Sequence, residues 1–137
     1  MHDEEARQRF AASPVARLAT VRPDGSPHVV PVTFALTADL VYTAVDRKPK
    51  RHRQLARLAN LRHEPRCALL ADHYADNWRQ LWWVRADGQA TIVDEPRADH
   101  PGLAALAARY PAYREVAPAG PLICVTVTRW SGWSAAG

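Results

Sequence analysis

Residues 47–53 read Arg-Lys-Pro-Lys-Arg-His-Arg, and eight Lys or Arg residues but one acid, Glu64, fall between Arg47 and Arg66. A solvated helix face usually mixes both signs. Here the charge is nearly single-signed and peaks where a strand ending at Val45 gives way to a helix. Free backbone N–H groups and the positive end of the helix dipole point outward at such a place. That combination suits a phosphorylated ligand. Lys48, Lys50 and Arg51 are therefore candidates for a phosphate clamp, with Thr43 donating its hydroxyl. Hydrogen bonds to charged groups contribute about 1.5–3 kcal/mol each, so three would fix the tail of a cofactor. The plainer alternative is a basic surface helix in an arginine-rich chain, and Arg57 and Arg62 read as that kind of surface.

A second group is aromatic: Trp78, Trp82 and Trp83, with Gln80 and Arg85 nearby. Adjacent residues of a strand point to opposite faces. One tryptophan of the pair at 82–83 can enter a core; the other then sits on an outer face, where a large apolar surface marks an interface or a ligand groove. Trp130 and Trp133 lie near the chain end, where fraying is usual, which suggests docking on the core or on a second subunit. The six histidines are scattered, and no pair has metal-ligand spacing on one element, so no metal site is expected. His28 lies on a strand face and could touch a ligand. No serine sits in a nucleophile elbow, and neither Gly-rich nucleotide-binding motif occurs. If the chain is an enzyme, a bound cofactor carries the chemistry and the protein orients it.

The elements that must place these residues are short. A helix is expected over 3–12, and strands over 15–22, 28–34 and 39–45, the third paired with the second. Pro31 argues that the second strand lies at an edge or a bulge. A helix from about Pro49 to Arg62 buries one face through Leu55, Leu58 and Leu61. The run at 66–72 is more fully apolar and reads as a strand buried on both faces. A polar loop at 73–80 leads to a strand at 81–85, a turn or bulge at 86–88, and a strand at 89–93 that continues or returns. Residues 98–114 look helical and 122–129 form the last strand. Six or so strands with one helix between the third and fourth give a mainly β fold with peripheral helices, a small antiparallel barrel rather than a βαβ sheet.

At 137 residues the chain reads as one domain, 1–137. Its net charge is +4 and its pI about 9.5. The positive excess is concentrated in one stretch with no interleaved aromatic stripe, so a nucleic-acid partner is not expected. Cys67 and Cys124 sit in apolar strand-like runs and read as small buried hydrophobes. With no signal peptide and no apolar run near 18 residues, a cytoplasmic protein off the membrane is expected.

Several stretches together carry a family resemblance. They are Ala16 to His28 (ARLATVRPDGSPH), Val30 to Phe34, Lys48 to Arg51, Asn60 to Arg66, Asp72 to Tyr74, Trp78 to Gly88 (WRQLWWVRADG) and Arg129 to Trp133. In this order and spacing the chain resembles the pyridoxamine 5′-phosphate oxidase-like split β-barrel proteins, related to FMN-binding proteins. Within them it is most similar to the flavin/deazaflavin oxidoreductases of actinobacteria that use coenzyme F-420. The resemblance implies a homodimer with two cofactor sites at the subunit interface. It places the cofactor phosphate on Lys48 and Lys50, assisted by Thr43 and Arg51. His28, Pro31, Val32 and Thr33 would line the ring, while Trp78, Gln80, Trp82, Trp83 and Arg85 would approach from the second subunit. The residues that bind pyridoxamine phosphate in the family's FMN-dependent oxidases are not found, which argues against vitamin B6 oxidation.

F-420 carries a long acidic tail beyond its phosphate, and Arg47 and Arg53 add more positive charge than one phosphate needs. A reductase handing a hydride from reduced F-420 to a small electron-poor substrate is the expected activity. An FMN-dependent oxidoreductase, or a non-catalytic binder of a flavin, deazaflavin or tetrapyrrole, is the alternative.

Overall fold

A computed structural model of the protein describes residues 1–45 and 51–137, with the side chains of 51–55 excepted. Seven strands form one sheet in the order β2-β1-β5-β6-β7-β4-β3, every pairing antiparallel. They are β1 (Ala16–Val21), β2 (Pro27–Val32), β3 (Ala35–Thr37), β4 (Leu40–Ala44), β5 (Arg66–His73), β6 (Trp82–Val93) and β7 (Leu122–Ser134). The helices are α1 (Asp3–Ala12), α2 (Arg51–His63), α3 (Pro101–Arg109) and α4 (Pro111–Glu115).

The sheet curls around one interior. Leu18, Val32, Leu69, Val84, Val125 and Val41, drawn from six strands, share the main buried cluster. Most come from the inward phase of an alternating strand, as in the buried-exposed pattern of β1, while β4 is buried on both faces, with Val41 in this cluster and Tyr42 in the one beside α3. Only Thr33 and Phe34 separate β2 from β3, the two edges of the sheet. The chain itself thus spans the split, and Phe34 fills the seam with no exposed surface. There the Tyr110 hydroxyl accepts from the Phe34 backbone N–H and lies 3.0 Å from the Phe34 carbonyl oxygen. A smaller cluster of Ala35, Tyr42, Leu106 and Leu122 lies between α3 and the other side of β3, β4 and β7.

α1 carries Asp3, Glu4 and Glu5 in its first turn and Arg9 in its last, the distribution the helix dipole favours. Ala6 and Phe10, four apart, form its buried stripe. Phe10 packs its ring 4.6 Å from Phe34 and 5.4 Å from Trp130, centroid to centroid. Full burial of such a side chain stabilises by about 2–3 kcal/mol. At 23–26 the turn is made by Gly25 at φ +88° and by Asp24, whose carboxylate accepts from the Ser26 backbone N–H and hydroxyl.

Several expectations change. The third strand does not pair with the second: β4 pairs with β7 and β3, and β2 pairs with β1 alone. A short hairpin through Ala38, at φ 55°, was not apparent because no glycine or asparagine marks it. β2 is an edge strand, as Pro31 requires. β5 is buried on one face only, with Leu70 37% exposed. The segments at 81–85 and 89–93 are one strand with a bulge at Asp87/Gly88. β7 runs on through Trp133. Residues 98–114 make two helices, broken at Tyr110 before Pro111.

Candidate functional site

The alternation of β6 puts its two tryptophans on opposite faces. Trp82 packs against the main core, with the Arg9 guanidinium over its ring at 5.4 Å. Trp83 lines an open groove of about 380 Å³ with Leu70, Asp72, Tyr74 and Arg85. Cross-strand pairing assembles this outer face in rows. Pro31, Arg17, Leu70, Arg85 and Ser131 follow one another across β2, β1, β5, β6 and β7. A second row places Asp72 beside Trp83, and Trp83 beside Trp133. Arg17 pairs with Asp72 at 3.5 Å and Arg85 with Asp87 at 3.2 Å. The Arg85 guanidinium also stacks 5.5 Å from the Trp83 ring, an arrangement that holds a planar cation ready beside an apolar floor.

On the other side of β1 and β2, under α2, is a polar cluster. Asn60 donates from Nδ2 to the Thr20 hydroxyl at 3.1 Å, a buried bond that pins α2 to β1. Thr20 faces His28 across the strand pair. Burial, with Arg22 and Arg57 adding positive charge, holds the His28 imidazole below its ordinary pKa. Burial also lowers the Arg57 guanidinium. Three buried polar atoms have no hydrogen-bond partner among the described residues: His28 Nδ1, Arg57 Nε and Thr43 Oγ1.

The expected site residues are therefore divided. Pro31 shares the outer face with Trp83 and Arg85, while His28 and Val32 point inward, Val32 into the core. Thr33 is exposed, its hydroxyl 3.2 Å from that of Tyr113. Thr43 is 1% exposed, enclosed at the top of β4. Trp78, 77% exposed, and Gln80 stand on a 3-10 turn, Trp78–Gln80, at the groove's end of the sheet. Lys48 and Lys50 lie outside the described residues, as does Arg47. Arg51 opens α2, and its side chain, like that of Arg53, is also outside them.

Arg57 corrects the sequence reading. It is half-buried rather than plain surface; its place one turn before Asn60, on the face that meets β1, was the available signal. Arg62 is exposed and pairs with Asp94 at 2.6 Å. Cys67 and Cys124 are free and half-buried, and burial pushes the Cys67 thiol up to about 12, which makes it a poor nucleophile. Among the described residues no group of three or more His, Cys, Asp or Glu could hold a metal ion, and no helix is long and apolar enough to cross a membrane.

The donor set fits a flavin-type cofactor. On the outer face Trp83, Leu70 and Pro31 offer an apolar floor for a ring system, and on the opposite face, under α2, Arg57 and His28, each with a nitrogen unpartnered among the described residues, offer a place for acidic groups. Solved structures share the fold. A conserved hypothetical protein of Mycobacterium tuberculosis is 24% identical, with a TM-score of 0.78 over 98% of this chain and 86% of that one. A FAD-binding protein of Mesorhizobium loti is 21% identical, with a TM-score of 0.67 over 96% and 94%. The heme storage protein of Vibrio cholerae is 15% identical, with a TM-score of 0.69 over 96% and 93%. No curated protein matches the sequence. The sequence model for pyridoxamine 5′-phosphate oxidase matches residues 2–134. With the split sheet closed by Phe34 and an open aromatic groove on its outer face, the chain belongs to the pyridoxamine 5′-phosphate oxidase family.

Proposed function

We propose that the protein is an oxidoreductase of this family that works with a deazaflavin, reduced coenzyme F-420, at the groove on the outer face of β5 and β6. The observation that carries the reading is this face: Trp83 with Arg85 stacked on it, beside Leu70, all left open by the chain's own fold. Bound there, the cofactor would supply a hydride to an electron-poor substrate. The chain's own residues bind and orient. Leu70, Pro31 and Trp83 exclude water from one side of the ring. Arg85 offers N–H donors to polar atoms at its edge. Lys48, Lys50 and Arg51 hold the phosphate, and Arg47 and Arg53 supply charge for the acidic tail. That surplus of cations supports F-420 over FMN.

The same face is the contact between two copies. Val29, 64% exposed, Val21, Leu70 and Trp133 are exposed apolar side chains on it, interspersed with the Arg17–Asp72 and Arg85–Asp87 pairs. A second copy laid on it would cover the apolar part and bring Trp78 and Gln80 toward the neighbouring groove.

Fluorescence titration of the protein with F-420 and, separately, with FMN tests the reading. Binding of F-420 with a Kd of about 1 μM or tighter, at least about tenfold tighter than FMN, is expected. Lys50→Ala should weaken F-420 by about tenfold or more, with unchanged circular dichroism. Preference for FMN would move the activity to the flavin-dependent members, and unchanged F-420 affinity in Lys50→Ala would remove the clamp assignment.

A further inference from the structure

The polar cluster under α2 is built differently from a surface basic patch. The Asn60–Thr20 bond fixes α2 on β1. His28 sits one cross-strand pair from Thr20, and Arg57 one helical turn from Asn60. The two side chains are thereby held on the same side of the β1–β2 edge. Each has a buried nitrogen without a hydrogen-bond partner among the described residues, His28 Nδ1 and Arg57 Nε. Buried polar groups are nearly always paired, and Arg57 Nε–H is a donor with no acceptor. Among the described residues the charged groups that bear on His28 are Arg57 from α2 and Arg22 just past β1, with no carboxylate. What the described residues do not supply here is a negatively charged acceptor.

We propose that Arg57 and His28 form an oxyanion subsite that takes up its anion together with a proton on His28. This rests on the cofactor reading for its natural ligand, a phosphate or carboxylate group of the acidic tail. With the anion in place, Arg57 Nε–H donates to one oxygen and the imidazolium Nδ1–H to another. The proton comes from solvent, one for each anion bound. Without the anion, the imidazolium stands among guanidinium cations in a half-buried site and releases its proton. Binding therefore strengthens as pH falls through the range in which the bound imidazole titrates.

The test uses sulfate, which stays a dianion throughout the range, and follows the ring resonances of His28 by NMR, assigned from their absence in His28→Gln. Sulfate should raise the pKa of His28 by about one unit or more. Sulfate affinity at this site should be roughly tenfold higher at about pH 5.5 than at about pH 8. His28→Gln should bind weakly with no such pH dependence, and Arg57→Gln should abolish the sulfate-induced shift. Should Arg57→Gln not fold, Arg57→Lys, which keeps the charge and loses the Nε donor, should still reduce the shift. A His28 titration that sulfate leaves unmoved overturns the subsite, as does a folded Arg57→Gln with the full shift. A His28 response to sulfate with no binding of F-420 would leave the subsite standing and remove the deazaflavin. Binding of F-420 with no sulfate effect on His28 would remove the subsite alone.

Discussion

Asp39 shows how a single carboxylate can join three parts of this chain. Its Oδ1 accepts from Arg7 Nε at 2.8 Å and from Trp130 Nε1 at 2.9 Å, and its backbone carbonyl accepts from the Val127 N–H. It ties α1, the β3–β4 hairpin and β7 together, while Arg7 lies 5.8 Å from the centroid of the Trp130 ring. Trp130 is 8% exposed, so removing its acceptor strands a buried N–H. Asp39→Ala should therefore lower stability by about 1–2 kcal/mol in a urea titration. The hydrogen bonds from Arg7 and Trp130 hold the Asp39 carboxylate below its ordinary pKa. Its folded value is below its unfolded one, so its contribution is complete above the ordinary carboxylate pKa. It is lost as pH falls through the folded value. Below about pH 4 the wild type should lose stability more steeply than Asp39→Ala, and parallel acid limbs in the two proteins would contradict this role.

Among the elements, β6 and β7 depend most on one residue. Gly88 lies at the bulge where the register of the two strands shifts. A Cβ there would fall 2.3 Å from the Thr126 carbonyl oxygen and 3.0 Å from a Val125 methyl carbon. The obstacle is backbone, which cannot rotate aside. Asp87 pairs with Arg129 and Gly88 with Val127, so the extra residue is Thr128 of β7, and it lets Val127 and Trp130, three apart, both face the core. Gly88→Ala should cost about 2–3 kcal/mol in thermal or urea unfolding, and it should disturb the groove that begins at Trp83. A variant as stable as the wild type would show that the strand can shift its register at low cost.

For the whole molecule, the open outer face sets the behaviour in solution. A single chain leaves Val29, Leu70 and Trp133 substantially exposed on one face, a surface that monomers seldom keep. If it is the contact between copies, sedimentation should give twice the chain mass of 15.3 kDa. Leu70→Glu, at the centre of the row from Pro31 to Ser131, should sediment at the mass of one chain with its circular dichroism unchanged. A dimer that survives Leu70→Glu would place the contact elsewhere.

Much of this protein was legible in its residue order. Period-two alternation gave the phase of β1, and Pro31 gave an edge strand, because a missing N–H has the same consequence in any sheet. The adjacent tryptophans required two faces for the same local reason. The family resemblance was carried by motifs spread along the chain, and the match over residues 2–134 agrees with it at the level of the pyridoxamine 5′-phosphate oxidase family. What stayed hidden depends on contacts between residues distant in sequence. That β4 pairs with β7 rather than β2 follows from closure of the sheet through Thr33 and Phe34. β4 is buried on both faces, and its apolar run fits either neighbour. His28 and Arg57 stand 29 positions apart, and nothing in the local pattern of either predicts the other. Their juxtaposition exists because Asn60 finds Thr20 inside the fold. Charge and period are properties of a segment and can be read along it, whereas a shared environment is created only when segments pack.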